Sequence, residues 1–190
     1  SVEIYMTYGS LLMESKKYNE AALSYQKTIE LEPDLFEAYK CLSDALYEAK
    51  NFKHIIPVLE KCIDFEPDNV EVINRLGEIF FNKMFDYTSA LRCYSRSFEI
   101  DPDQSSIYRC LADCYSAVGL VDKAIVAYET CIELNAADKV ACYRLNALTG
   151  ITTKSPPLQY ISELFDGYAD KPLWADWVLI SIICHEGTLV

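Results

Sequence analysis

Proline recurs along this chain at a nearly fixed step. Pro33, Pro67 and Pro102 are followed by Asn135-Ala136 where the next would stand, at intervals of 34, 35 and 34 residues. The surroundings repeat as well: Glu32-Pro33-Asp34, Glu66-Pro67-Asp68 and Asp101-Pro102-Asp103. A period of that length belongs to a two-helix unit, which buries its apolar face only by stacking on copies of itself. Proline has no N–H and disfavours helix in the residue before it, so each one closes a unit. The chain is therefore expected to be an all-α stack.

Units starting at Val2, Phe36, Val70 and Ser105 place like residues at like positions. The fourth is Tyr5, Tyr39, Ile73 and Tyr108, and the seventh is Tyr8, Leu42, Leu76 and Leu111. The eighth is always small: Gly9, Ser43, Gly77 and Ala112. The eleventh is Leu12, Leu46, Phe80 and Tyr115. These spacings share one helix face, and the small residue lets a second helix approach closely. That second helix has its own pattern, with Ala21, Tyr25 and Thr28 answered by Ala90, Tyr94 and Ser97, then by Ala124, Tyr128 and Cys131. The second unit substitutes Ile55, Leu59 and Cys62. The third carries one extra residue within Asn82–Asp86, expected in the turn between its helices. Pro57 falls in the first turns of a helix expected from Lys53, where it is tolerated but liable to tilt or shorten the start. The pattern predicts helices over 3–15, 18–31, 36–49, 53–65, 70–83, 87–100, 105–118, 121–134, 138–149 and 157–169.

Small and aromatic residues alternating at these offsets, closed by a Pro-Asp turn, resemble the tetratricopeptide repeat (TPR) family. Four full matches span residues 2–136, and a fifth first-helix follows over 138–149, where the motif decays at Asn146 and Thr149. The resemblance implies a right-handed superhelical solenoid with four repeats and a fifth first-helix over 2–149. Residues 150–190 would then supply a linker, a capping helix and an apolar tail. Ser155 is expected as the N-cap of the capping helix and Pro156 as its first residue. Leu158, Ile161, Leu164, Phe165 and Tyr168 would form its apolar face.

In such a solenoid the first helices line the concave side, and positions 5, 9, 12 and 13 face away from the packing residues. Lys40, Asn74 and Arg109 stand at position 5, and Asp44, Glu78 and Asp113 at position 9. Tyr47 and Phe81 stand at position 12, with Glu48 and Asn82 beside them at position 13. Large apolar groups flanked by polar ones are typical anchors for a bound chain. These ten residues are the candidate protein-binding site of a non-enzymatic scaffold. Family members that clamp acidic C-terminal tails use Lys at position 5 and Asn at position 9 of their first repeat. Met6 and Ser10 stand there in this chain. Beside the groove carboxylates a terminal carboxylate would meet repulsion, and a segment bearing Lys or Arg fits better. Self-association through terminal repeats is a further expectation.

Composition narrows the class. A formal charge of −12, from 29 acidic and 17 basic residues, repels nucleic-acid phosphates and anionic membranes. The longest apolar run, Trp177 to Cys184, broken only by Ser181, falls far short of the ~20 residues that span a bilayer. The start lacks the basic-then-apolar pattern of a signal peptide, so a cytoplasmic chain is expected. Of the eight cysteines, Cys41 and Cys110 share one repeat position and Cys62 and Cys131 another, as small packing groups would. Reduced, metal-free thiols are expected. His54 and His185 have no nucleophile or carboxylate at a catalytic spacing, and no phosphate-binding glycine loop occurs, so no enzyme, cofactor or metal is expected. A second class rests on resemblance: Ala147 to Ala169 looks like the junction at which bacterial repeats of this family lead into an S-adenosylmethionine-dependent methyltransferase domain. Asp170-Lys171-Pro172-Leu173-Trp174 departs from the continuation. On that alternative the chain is a substrate-recognition arm whose catalytic domain lies elsewhere.

Overall fold

The computed structural model describes residues 1–151 and 155–162. They are helical throughout, with no strand among them. The helices are α1 (Val2–Glu14), α2 (Tyr18–Leu31), α3 (Phe36–Glu48), α4 (Phe52–Phe65), α5 (Val70–Ile79), α6 (Tyr87–Ile100), α7 (Ser105–Ala117), α8 (Val121–Leu134) and α9 (Lys139–Thr149). Each lies within one residue of its predicted bounds except the fifth. The fold divides into two compact units, Ser1–Pro102 and a second that begins at Asp103.

In the first unit α1 packs on α2, α2 on α3, α3 on α4, α4 on α5 and α5 on α6. Its core joins Leu12, Ala21, Ala22 and Tyr25 to Leu42, Ala45, Leu46, Ile55, Leu59, Leu76 and Ile79. In the second unit α7 packs on α8 and α8 on α9, around Ala112, Ala124, Ala127, Tyr128, Cys131 and Ala141. The small eighth position does what the pattern requires. A Cβ on Gly9 would stand 2.5 Å from Cε1 of Tyr25, and one on Gly77 2.8 Å from Cε1 of Tyr94.

The turn inside each repeat is built alike. The residue before the second helix's N-cap is left-handed: Lys16 (φ 58°), Lys50 (φ 55°), Phe85 (φ 55°) and Gly119 (φ 80°). The N-cap N–H then returns to the carbonyl of position 11. Lys17 donates to Leu12, Asn51 to Leu46 and Leu120 to Tyr115, each at 2.8–2.9 Å and five residues back. In the third repeat Asp86 donates to Phe80 at 2.9 Å, six residues back. The extra residue is thus absorbed in the last turn of the first helix, which widens to a π-helical segment over Phe80–Met84. This corrects the expectation that it lies in the inter-helix turn. Moving it there would displace the left-handed residue and the cap. Asp86 accepts from Ser89 N at 3.0 Å, and that backbone hydrogen bond holds its carboxyl below its usual range.

Pro57 does not shorten its helix, because α4 begins at Phe52, the counterpart of Tyr18 and Tyr87. His54 is a capping-turn residue, with Nδ1 2.7 Å from Oδ1 of Asn51. The C-terminal helix opens at Leu158, and the carbonyl of Pro157 takes the first helical hydrogen bond from Ile161 N. That is later than the expected Ser155 cap. Leu158 is 86% exposed. Tyr160 packs instead, its ring 4.7 Å from Tyr143 and 5.5 Å from the Arg144 guanidinium. Leu164, Phe165, Tyr168 and the apolar tail lie outside the described residues.

Candidate functional site

The ten candidate residues do not form an open row of free side chains. In the first unit Lys40, Glu48 and Glu78 are exposed, while Asp44, Tyr47, Asn74, Phe81 and Asn82 are half-buried. In the second, Arg109 and Asp113 are half-buried too. The reason lies in contacts that cross from one repeat to the next.

Arg75 and Arg144 both stand at position 6, and each pairs with the Asp at position 9 of the preceding repeat, Asp44 and Asp113 respectively. The spacing is 31 residues in both cases. Asp113 also accepts from Tyr128 Oη at 2.5 Å, fifteen residues on. The first repeat has a neutral version, with Ser10 Oγ 3.4 Å from Tyr25 Oη at the same separation. Position 9 is therefore a junction between a repeat's own second helix and the next repeat's first helix. Burial raises the Asp113 carboxyl above its ordinary range while Arg144 and Tyr128 pull it down. Burial and the Asp113 charge raise the Tyr128 phenol far above its own. Asp44 and Asp113 are thus paired with arginines of the next repeat.

Position 12 is committed in part. The Tyr47 ring lies edge-on to Phe52, the first residue of α4, at 6.0 Å. Phe81 lies edge-on to Tyr87, the first residue of α6, at 5.2 Å. The expected solvent-facing anchors are therefore half-covered, each leaning on the helix that follows. Tyr47 also carries the Arg75 guanidinium 5.7 Å from its ring and donates to Glu78 Oε1 at 3.4 Å. Burial, then the Glu78 charge, raises its phenol. Asp44, Arg75, Tyr47 and Glu78 so make one connected polar-aromatic row from α3 to α5.

Arg109 serves a different end. Its Nε lies 3.3 Å from Oδ2 of Asp138, with side chains 22% and 13% exposed. The other oxygen of Asp138 caps α9, accepting from Val140 N at 3.1 Å and Ala141 N at 2.9 Å. Arg109 thus braces a helix start.

The model of the tetratricopeptide repeat family matches residues 2–35 and 111–138. Those two stretches match tetratricopeptide repeats. Solved structures agree on the fold. MamA 41-end from Desulfovibrio magneticus RS-1 matches with a TM-score of 0.69 at 15% identity, covering 88% of this chain and 93% of that one. A second MamA crystal structure matches at 0.69 and 18%, covering 93% and 94%. YrrB, described as a TPR protein with an unusual peptide-binding site, matches at 0.66 and 18%, covering 93% and 89%. At these identities the likeness is one of fold. A comparison with curated proteins finds no match. The stretch that resembles a methyltransferase junction lies partly outside the described residues.

The helix packing also sets the chemistry of the thiols. Cys62, Cys114 and Cys131 are buried, and Cys41, Cys93, Cys110 and Cys142 half-buried. Burial pushes the Cys62, Cys93 and Cys131 thiols up to about 11 from 9.0. Only the thiolate is nucleophilic, so alkylation of these three at neutral pH should be about two orders of magnitude slower than that of an unperturbed thiol. The rate should climb with pH towards 11. Mass-resolved iodoacetamide labelling checks this, and rates equal to those of the unfolded chain would contradict it. Among the described residues no three His, Cys, Asp or Glu side chains gather as a metal site, and no helix is long and apolar enough to cross a membrane.

Proposed function

We propose that this chain is a non-enzymatic scaffold that holds a peptide or protein segment against its first helices, and that in the first unit the segment crosses α3 and α5. The observation that carries this reading is the connected row Asp44–Arg75–Tyr47–Glu78. Side chains tied to one another across two repeats lose little further freedom when a ligand arrives, so less of the interaction energy goes into ordering them. Tyr47 remains half-exposed at the centre of that row and offers an aromatic anchor. Lys40, Asn74 and Asn82 supply donors suited to the carbonyls of an extended chain. Exposed Glu48 and Glu78 favour basic side chains in it. Phe81 is the second anchor. Arg109 and Asp113 act on this reading by holding their own repeats in register.

The test is a pull-down from the source cell with the whole chain, followed by titration of the recovered partner. Tyr47→Ala should weaken binding at least tenfold, consistent with about 2 kcal/mol for losing an anchor. Leu23→Ala, at an exposed site on α2, should leave it within twofold. Glu78→Gln should mainly slow association and flatten the salt dependence. A partner whose affinity ignores Tyr47 but falls with Leu23 would place binding on the second helices.

A further inference from the structure

Position 4 is tyrosine in three repeats, as Tyr5, Tyr39 and Tyr108, but isoleucine, Ile73, in the third. In the second repeat the ring at this position reaches Phe65, 5.4 Å away. Ile73 has no ring, and it forms part of the floor of a cavity of about 330 Å³ between α4 and α6. The rest of the floor is apolar too: Leu76 of α5, Phe80 of the π-helical segment and Ile63 of α4. The opening lies between the second and third repeats, inside the first unit. Its walls carry opposite charges in two rows. Exposed Glu60 and Asp64 stand one turn apart on α4, and exposed Arg92 and Arg96 one turn apart on α6. Both arginines are held in place. Arg92 Nη2 donates to Ser89 Oγ at 3.0 Å, and Arg96 Nη2 to the Pro67 carbonyl at 2.5 Å. Each of these bonds uses one of the five donors of its guanidinium. Asp64 also meets Lys61 at 3.2 Å, an exposed pair of the kind that contributes little. The like positions around the cleft between α2 and α4 are Gln26, Glu30, Pro57 and Lys61, which make no such rows.

We infer that the cleft between α4 and α6 docks an amphipathic helix of another protein, which places a large apolar residue in the cavity, acidic residues against Arg92 and Arg96, and basic residues against Glu60 and Asp64. Charge complementarity selects this occupant. An extended segment points its side chains only toward the floor and away from it, so it cannot offer opposite charges to two walls. A helix can. Around an apolar residue i that faces the floor, i−3 and i+1 lie on one flank and i−1 and i+3 on the other. Each pair is one turn apart, like the row it meets. The rows also fix the direction of the bound helix, because reversing it exchanges its flanks. A second copy is a poorer occupant, since a formal charge of −12 opposes the approach of two copies. The cleft is separate from the Asp44–Arg75–Tyr47–Glu78 row and would let the scaffold hold two partners.

The probe is a synthetic helix of a few turns, stapled on its solvent side because a free peptide of that length is marginally helical. It carries phenylalanine at a central position i, glutamate at i−3 and i+1, lysine at i−1 and i+3, and alanine elsewhere. Titrated against the whole chain, it should bind saturably. It should also slow iodoacetamide labelling of Cys93, which lines the cavity, and leave that of buried Cys131 unchanged. Alanine in place of the central phenylalanine should cost at least tenfold in affinity, and so should Arg92→Glu combined with Arg96→Glu. Both walls of that variant are acidic, so a probe with lysine on both flanks should prefer it to the parent at least tenfold. Lys17→Glu combined with Lys53→Glu makes the same charge change at exposed sites and should shift neither probe more than twofold. Tyr47→Ala should leave affinity for the first probe within twofold, which separates this cleft from the α3–α5 row. The exchanged arginines and lysines are all exposed, so thermal melts of both charge variants should overlay that of the parent. Absence of saturable binding, an equal loss in the lysine control, or no preference of the all-lysine probe for the arginine variant overturns the inference. So does a parent chain that sediments as a dimer and becomes a monomer on Arg92→Glu with Arg96→Glu, since a second copy would then cover the cleft.

Discussion

Arg144→Ala will destabilise the second unit by about 3–5 kcal/mol, whereas Arg75→Ala, the same change at the same repeat position, will cost the first unit about 1 kcal/mol or less. The two arginines do one job in two environments. The Arg75 and Asp44 side chains are 32% and 40% exposed, so when the guanidinium is removed water solvates the carboxylate left behind. Arg144 and Asp113 are 23% and 12% exposed, and Asp113 also takes the Tyr128 hydroxyl. Loss of Arg144 leaves a carboxylate facing a phenol in a site where burial already opposes its charge. The carboxyl should then take up a proton more readily than with Arg144 in place, so the variant's deficit shrinks as pH falls, because the protonated form no longer carries a buried charge. Replacing both partners by apolar residues, Asp113→Leu with Arg144→Met, should recover most of the loss, since no charge remains to be desolvated. Amide exchange resolved to α7, α8 and α9 reads the unit directly, and denaturant melts give the total. Equal costs for the two arginines would show that burial does not set the value of this junction.

The periodic part of the chain is legible because each packing residue appears several times in register, so position 8 reads as a close approach from the sequence alone. Helix bounds followed from the Pro-Asp closures and fell within a residue almost everywhere. The exception at Phe80–Met84 is informative. Counting residues reveals an insertion but not which segment stretches to hold it. The answer depends on the left-handed residue and the cap at Asp86, whose bonds cost more to break than one helical turn costs to widen. The binding face was legible only in outline. Exposure was inferred one helix at a time, whereas Asp44, Tyr47 and Asp113 are set by what the next repeat brings to them. The 31-residue Asp–Arg spacing was present in the sequence, as position 9 of one repeat and position 6 of the next. It stays hidden as long as each repeat is aligned only with itself. The Arg109 contact stays hidden for the same reason, since its partner Asp138 lies in the turn before the fifth first-helix.

The last expectation concerns the closest approach between helices. Gly9→Leu should destabilise the first unit by about 3 kcal/mol, with Gly9→Ala near 1 kcal/mol, because overpacking forces side chains off their rotamers and shifts backbone. A Cβ at Gly9 would meet Cε1 and Cζ of Tyr25 at 2.5 and 2.7 Å, and the ring is itself 2% exposed with little room to withdraw. The alanine penalty is the smaller because alanine regains about 1 kcal/mol of helix propensity over glycine. The chain also shows that a ring and a Cβ coexist at this crossing, as Ala112 and Tyr128 do with the phenol drawn to Asp113. The second repeat shows another solution, with Ser43 and Leu59 in place of glycine and tyrosine. Gly9→Ser combined with Tyr25→Leu copies it, and the pair should cost at least about 1 kcal/mol less than the sum of the two single changes, a coupling expected of side chains in contact. Gly119→Leu is the contrast: nothing lies within 4 Å of a Cβ there, and only the left-handed backbone at φ 80° resists, worth about 1–2 kcal/mol. Denaturant melts of the six variants decide it. If Gly9→Ser and Tyr25→Leu prove additive, the ring is not what keeps position 8 small in the first repeat.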